Sequence, residues 1–277
     1  MNKTKIGISS YSYSYAVGYP GFQPDKPMDA FGLVKKAIDL KVSVVQIADN
    51  CPLDRLSDEQ LDQLYEYAAS NGIELEVGTR GIKTAHLTRY IEIAKRLHSS
   101  LLRVVLDTKD HEPEFDEIIS LLKAVMPLLE EYGIVLGIEN HDRFKTDVWK
   151  KIIDTMNSPL VGIVLDTVNS FSCEENSEQV INALGKYTVN LHVKDYRIGR
   201  IPNSMGLMVT GAIAGQGFLN IPYMAETLGR SARGDYSSIL ELWMPCEPTV
   251  EETLKKEKIW VEQSIDYLKS VLCTQEK

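Results

Sequence analysis

Short apolar, β-branched runs alternate with longer amphipathic stretches along the whole chain, and this alternation predicts a repeating β/α fold. Strands are expected at 6–10, 44–48, 73–78, 102–106, 134–138, 162–165, 189–193 and 238–242. Helices are expected at about 30–40, 57–71, 84–97, 114–132, 145–156, 177–187, 221–228 and 250–272. Ser57 followed three residues later by Gln60 is a capping box and fixes one helix start, and Gly72 closes that helix. Pro127 inside the 114–132 segment predicts a kink.

The expected strands are apolar nearly throughout, as parallel strands covered on both faces must be. Alternating strands and helices with one composition from end to end imply a parallel sheet. Eight such units in 277 residues fit a closed (β/α)8 TIM barrel of class α/β better than an open doubly wound sheet. No glycine-rich nucleotide-binding fingerprint follows the first strand, and no linker or internal repeat divides the chain. A single domain over residues 1–277 is expected.

Composition narrows the partners. The hydrophobic fraction of 44% and charged fraction of 25% are ordinary for a globular protein. The formal net charge of −9 argues against nucleic acid and anionic membranes as partners. Cys51, Cys173, Cys246 and Cys273 form no C-x-x-C pair and read as free thiols of a reducing compartment. The N-terminus carries no apolar signal-peptide core, and no run approaches the length of a membrane span. A cytoplasmic location is the expectation.

A parallel barrel builds its active site at the C-terminal ends of its strands. Four polar residues end strands there. Glu139 closes IVLGIEN, Asp166 closes VGIVLD, His192 lies in NLHVKD and Glu241 lies in SILELW. They come from the fifth to the eighth strand, so they converge on one side of the mouth. Taken singly, each is also what a helix cap, a buried ion-pair partner or a satisfied core histidine looks like. Four such placements on neighbouring strands point instead to a shared site. Three carboxylates and an imidazole suit one hard or borderline divalent ion, Mn²⁺ first, with Mg²⁺, Co²⁺ or Zn²⁺ as alternatives. The ion relieves the repulsion that would otherwise protonate the packed acids.

At these residues the chain resembles the xylose-isomerase-like TIM-barrel superfamily, the sugar phosphate isomerase/epimerase group. The carrying motifs are GIEN with Glu139, LDTVN with Asp166, HVKD with His192 and LELW with Glu241, and GQGFLNIP matches that family's loop before a helix. The resemblance covers the chain in element order and does not specify one activity. It implies that Glu139 and Glu241 bind metal and also move protons, through a metal-stabilised enediolate of a keto sugar or sugar derivative. A lyase reading on the same site, decarboxylase or dehydratase of a keto-sugar acid or inosose, stands beside the isomerase or epimerase reading. The 3-epimerases of the family tend to carry His three residues after the aspartate, where this chain has Asn169. The endonuclease IV relatives need further His and Asp ligands. Of His86, His98, His111 and His141, only His141 lies near a strand end, which argues against a nuclease.

Other residues of the expected mouth are candidates for binding a small carbohydrate. They are Gln46 at the close of the second strand, Arg80 after the third, Lys194 beyond His192, Asn169, and Arg197 or Arg200. Arg80, Lys194 and Arg197 make the pocket cationic for a substrate carboxylate or phosphate, or they neutralise the nearby acids. Arg103, early in its strand, reads as a structural ion-pair partner. Trp243 shares a strand face with Glu241 and either floors the site or packs. The stretch YSYSYAVGY walls the pocket or forms an oligomer surface, and the number of subunits is left open. The long segment 198–217 reads as a substrate-covering lid.

Overall fold

The computed structural model describes residues 2, 4–19, 21–202 and 205–272. Eight parallel strands close into a barrel: β1 (Thr4–Ser9), β2 (Val44–Ile47), β3 (Glu74–Arg80), β4 (Leu101–Val105), β5 (Val135–Glu139), β6 (Val161–Asp166), β7 (Thr188–Val193) and, after an intervening hairpin, β10 (Tyr236–Leu240). The hairpin is β8 (Asp195–Arg200) paired antiparallel with β9 (Leu207–Ala212). The helices are α1 (Ser14–Val17), α2 (Ala30–Leu40), α3 (Asp58–Ser70), α4 (Thr84–Arg96), α5 (Phe115–Tyr132), α6 (Thr146–Met156), α7 (Ser177–Leu184), α8 (Ile221–Ser231) and α9 (Val250–Leu272). The expected (β/α)8 architecture is therefore present.

Local chemistry explains the boundaries. Ser57 accepts from Gln60 N and Gln60 returns the bond, so the capping box starts α3. Asn176 and Gln179 do the same for α7. Gly133 takes a left-handed φ of 66° and ends α5, whose run continues through Pro127. The apolar layer sits between strands and helices, where Ile8, Ile47, Val77, Val104, Ile138, Ile163 and Leu191 are fully buried.

The opposite strand face lines the lumen and is polar. Barrel registers pair Ser9 with Gln46, Gln46 with Glu76, Gly78 with Arg103, and Asp166 with His192. By period two these residues share the inward face. TIM barrels ordinarily fill that space with branched apolar layers. Here Gln46, Glu76, Arg103, Asn190 and His192 fill it instead, each under 9% exposed.

The segment after β7, expected as a long substrate-covering loop, contains a paired hairpin. Asp195–Arg200 and Leu207–Ala212 pair as a hairpin, with Asp195↔Ala212 and Arg200↔Leu207 in register. Its base is fixed by the buried Asp195 carboxylate, which accepts from Gly215, Gly217 and Leu219 N–H groups at 2.9, 3.0 and 3.0 Å. Gly217 is required because a Cβ there would run into the Asp195 carboxylate. The alternation of β8 and β9 was masked in the sequence by glycine, proline and methionine. Cys51, Cys173 and Cys246 are free thiols, and Cys273 lies outside the described residues. Among the described residues, no helix is long and apolar enough to cross a membrane.

Candidate functional site

Glu139, Asp166 and His192 stand at the C-terminal ends of β5, β6 and β7, and Glu241 follows β10 directly. All four are buried, at 0 to 1% exposure. His192 is the hub. Its Nδ1 lies 3.2 Å from Glu139 Oε2, 3.4 Å from Glu241 Oε1 and 4.0 Å from Asp166 Oδ2.

Each acid has one committed oxygen. Asp166 Oδ1 accepts from the Val168 and Asn169 N–H groups at 2.8 Å each. Glu139 Oε1 accepts from Asn169 Nδ2 at 2.8 Å, and Glu241 Oε1 from Ser9 Oγ at 3.0 Å. Two cations, the buried Arg103 and the partly buried Lys194, meet the rest. Arg103 reaches Glu139 Oε2 at 2.5 Å and Asp49 at 2.9 Å. Lys194 Nζ lies 2.8 Å from Asp166 Oδ2 and 2.9 Å from Glu241 Oε2.

These contacts set the protonation states. Burial alone would raise the Glu139 carboxyl, but Arg103 and His192 hold it well below the usual carboxylate range. Burial is likewise overridden at Glu241 by His192 and Lys194. Burial disfavours charge on His192 and Lys194, yet the surrounding acids push both upward. Glu139 and Glu241 are thus held as carboxylates by the cations around them.

The residues fit a divalent cation on two observations. His192 Nδ1 and Asp166 Oδ2 are buried without a well-aligned hydrogen-bond partner, and both face the same point. Lys194 Nζ meets Asp166 Oδ2 as an ion pair at 2.8 Å. Three fully buried acids also gather here around His192, with the buried Arg103 shared with Asp49 and Lys194 partly exposed. Glu139, Asp166 and His192 offer ligand atoms within 4.8 Å of one another. Glu241 is not in that closest group, and its Oε2 lies 2.9 Å from Lys194 Nζ.

The remaining candidates are distributed unevenly. Asn169 bridges Glu139 and approaches Lys194 at 3.4 Å, so it belongs to the cluster. Gln46 is fully buried beneath it and meets His192 Nε2 at 2.7 Å. Arg80 stands at the mouth, a third exposed, with Nε 3.3 Å from Asp49 and Nη2 3.4 Å from His141 Nε2. Trp243 lies on the rim, 38% exposed, beyond the end of β10. Arg197 and Arg200 point away: Arg197 binds Gln216 O and Arg200 binds Met205 O, both exposed on the hairpin. Arg103 is an ion-pair partner as expected, but its partner is Glu139 itself.

Beside Lys194 and Glu241 opens a cavity of 570 Å³ walled by Tyr11, Tyr15, Tyr19 and Trp243. The wall is tied to the site. Leu242 N–H donates to Tyr11 O at 3.2 Å, Tyr15 OH donates to Met244 O at 2.9 Å, and Ser12 Oγ donates to Leu240 O. Glu257 of α9 accepts from the Tyr15 and Ala16 N–H groups at 2.7 and 3.0 Å. Sequence pattern alone missed Glu76, Asn190 and Glu257. Asn190 was readable two residues before His192 on the same face; Glu76 and Glu257 carried no local signal.

A closed α/β barrel with an imidazole and carboxylates gathered at its C-terminal mouth defines a class of barrel enzymes built around a candidate metal-binding centre. Residues 34–271 match the xylose isomerase-like TIM barrel family. The chain belongs to that family. It is 32% identical over 263 residues to the 3-oxo-isoapionate decarboxylase of Pectobacterium atrosepticum, covering 95% of this chain and 94% of that protein. Among solved structures it resembles the D-psicose 3-epimerase of Clostridium cellulolyticum H10, determined with D-tagatose, at TM-score 0.72 and 18% identity, over 97% of this chain and 99% of that one. A xylose isomerase-like TIM-barrel protein of Mycobacterium smegmatis, in complex with magnesium, superposes at TM-score 0.64 and 13% identity, over 97% and 100% of the two chains. These two structures speak to the fold alone.

Proposed function

We propose that this protein is a divalent-metal-dependent lyase that removes the carboxylate of a 3-oxo sugar acid as CO₂. Glu139, Asp166, His192 and Glu241 hold the ion in this reading. The observation that carries it is the salt-bridging of both candidate bases, Glu139 by Arg103 and Glu241 by Lys194. A carboxylate held so far below its ordinary range is a weak base toward a C–H bond. Decarboxylation of a 3-oxo acid asks for no such base. It needs an electron sink at the ketone and a proton donor at the carbon left behind. The 32% identical decarboxylase, whose name specifies a 3-oxo acid substrate, supports the same reaction class.

A bound dication would supply Lewis acidity toward the ketone and a neighbouring hydroxyl. The chain's own residues do the rest. The C–C bond to the carboxylate breaks, its electron pair moves toward the ketone oxygen, and CO₂ departs. Lys194 lines the cavity; with Asp166 and Glu241 neutralised by a dication, their hold on its proton loosens, so Lys194 gives that proton to the carbon and one proton is consumed per CO₂. Asn169 and Ser9 hold Glu139 and Glu241 in place. Tyr11, Tyr15 and Trp243 offer apolar faces to sugar carbons. Arg80, at the mouth, suits a polar end of the substrate.

An isomerase or epimerase of a keto sugar is the second reading, favoured by two carboxylates at one centre, Glu139 and Glu241 lying 3.2 and 3.4 Å from His192 Nδ1. One experiment separates the two. Manganese-loaded protein is incubated in D₂O with 3-oxo sugar acids and, separately, with keto sugars. Stoichiometric CO₂ release with one deuterium in the product is expected. Deuterium exchange into a keto sugar, with no CO₂ from any acid, would overturn the lyase reading.

A further inference from the structure

The barrel lumen holds a polar column that the proposed reaction does not touch. Glu76 Oε2 accepts from Gln46 Nε2 at 2.9 Å and from Asn190 Nδ2 at 2.9 Å. Gln46 Oε1 then faces His192 Nε2 at 2.7 Å. Glu76 is 8% exposed, and Gln46, Asn190 and His192 are fully buried. Glu76 also lines a hollow of 920 Å³ at the N-terminal end of the barrel, opposite the candidate site.

The order of donors and acceptors along the column is forced. An amide has one donor end and one acceptor end. Glu76 Oε2 accepts from two amide NH₂ groups at once, and those bonds favour the carboxylate against the burial that pushes its pKa upward, so Glu76 holds the NH₂ of Gln46 toward itself. The Gln46 oxygen must then point at His192, and Nε2 must carry the hydrogen. In the neutral ring Nδ1 is left as a bare lone pair, and it is aimed at Glu139, Asp166 and Glu241. That arrangement is repulsive until a proton on Nδ1 or a metal cation sits between them. Asn190, whose NH₂ converges on the same Glu76 oxygen, opposes a flip of the Gln46 amide by offering its own oxygen to Gln46 Nε2 at 3.3 Å.

We propose that Glu76 and Gln46 are positioning residues that fix His192 as the Nε2–H tautomer and so present Nδ1 as a preformed ligand for a divalent cation. The inference rests on the cation-binding part of the function above and is independent of the reaction catalysed there. Glu76 acts at two removes, by setting one amide.

Two readouts on the full-length protein test it. The first is Mn²⁺ affinity by calorimetric titration of the metal-free protein. The second is the ¹⁵N spectrum of the His192 ring in metal-free protein at alkaline pH, which reports which nitrogen carries the hydrogen. The parent is expected to show Nε2–H. Glu76→Gln is expected to give a mixed or inverted tautomer and to weaken Mn²⁺ binding by about 10- to 100-fold, the usual effect of removing a partner behind a metal-ligating imidazole. Should that variant fail to fold, Gln46→Leu, which removes the acceptor outright, is expected to do the same. The proposal is overturned if a folded variant keeps the Nε2–H tautomer, or keeps Mn²⁺ affinity within twofold, whatever the outcome of the CO₂ assay.

Discussion

Replacing Lys194 by methionine should move metal binding and turnover in opposite directions. The ammonium lies 2.8 Å from Asp166 Oδ2 and 2.9 Å from Glu241 Oε2. At an effective dielectric of about 20, a unit pair at such a separation attracts by ~6 kcal/mol. Desolvation of the buried ammonium offsets part of that, and breaking a buried pair costs a net of about 3–5 kcal/mol. The metal-free Lys194→Met protein should lose stability of that order in urea unfolding. The same ammonium competes with a dication for the two oxygens it touches, so Mn²⁺ should bind the variant at least ~10-fold more tightly once a cation takes over its role. Turnover should nevertheless fall by about 10²- to 10⁴-fold, because the group that delivers the proton is gone. Calorimetric titration with Mn²⁺ and single-turnover CO₂ release on the same preparation give both numbers. Weaker metal binding in the variant, or turnover within tenfold of the parent, would refute the reasoning.

Arg103→Leu leaves the Glu139 carboxylate buried beside no guanidinium, and should destabilise the metal-free protein by about 3–5 kcal/mol. Saturating Mn²⁺ should restore part of that loss, since only the folded state binds it; identical urea midpoints with and without the ion would contradict this. Burial pushes the Glu257 carboxyl up to about 7 from an ordinary 4.5, against the pull of the Tyr15 and Ala16 N–H groups. The folded protein therefore binds a proton that the unfolded chain has released between those values, and stability should fall by about 3 kcal/mol as pH rises from 4.5 to 7. Urea midpoints across that range should show the slope in the parent and a flatter one in Glu257→Gln. Gly217→Ala places a methyl against the Asp195 carboxylate and should cost about 1–3 kcal/mol, read as a lowered melting temperature; an unchanged one would contradict the close approach.

The barrel was legible because period carries it. Eight buried parallel strands cannot hide their apolar runs, and α2 and α9 begin and end where the pattern places them. Glu139, Asp166, His192 and Glu241 were legible for the complementary reason, as polar residues ending apolar strands. What lay out of reach depends on partners distant in sequence. Arg103 reads as a structural ion pair until Glu139, 36 residues on, is seen against it. Gln46 reads as a residue of the mouth, yet it sits below His192 and faces it across 146 positions. Arg197 follows the right strand, but the hairpin that pairs Arg197 with Thr210 carries its guanidinium to Gln216. Hairpin register and lumen hydrogen bonds are long-range facts, and local propensity does not encode them.

The most direct measurement is anomalous diffraction at the manganese edge from a crystal of the full-length protein grown with Mn²⁺. A single peak within coordination distance of His192 Nδ1, Asp166 Oδ2 and an oxygen each of Glu139 and Glu241 is predicted, with the Lys194 ammonium displaced from the pair it bridges. No peak there at saturating manganese, or a peak bound by other side chains, would contradict the account.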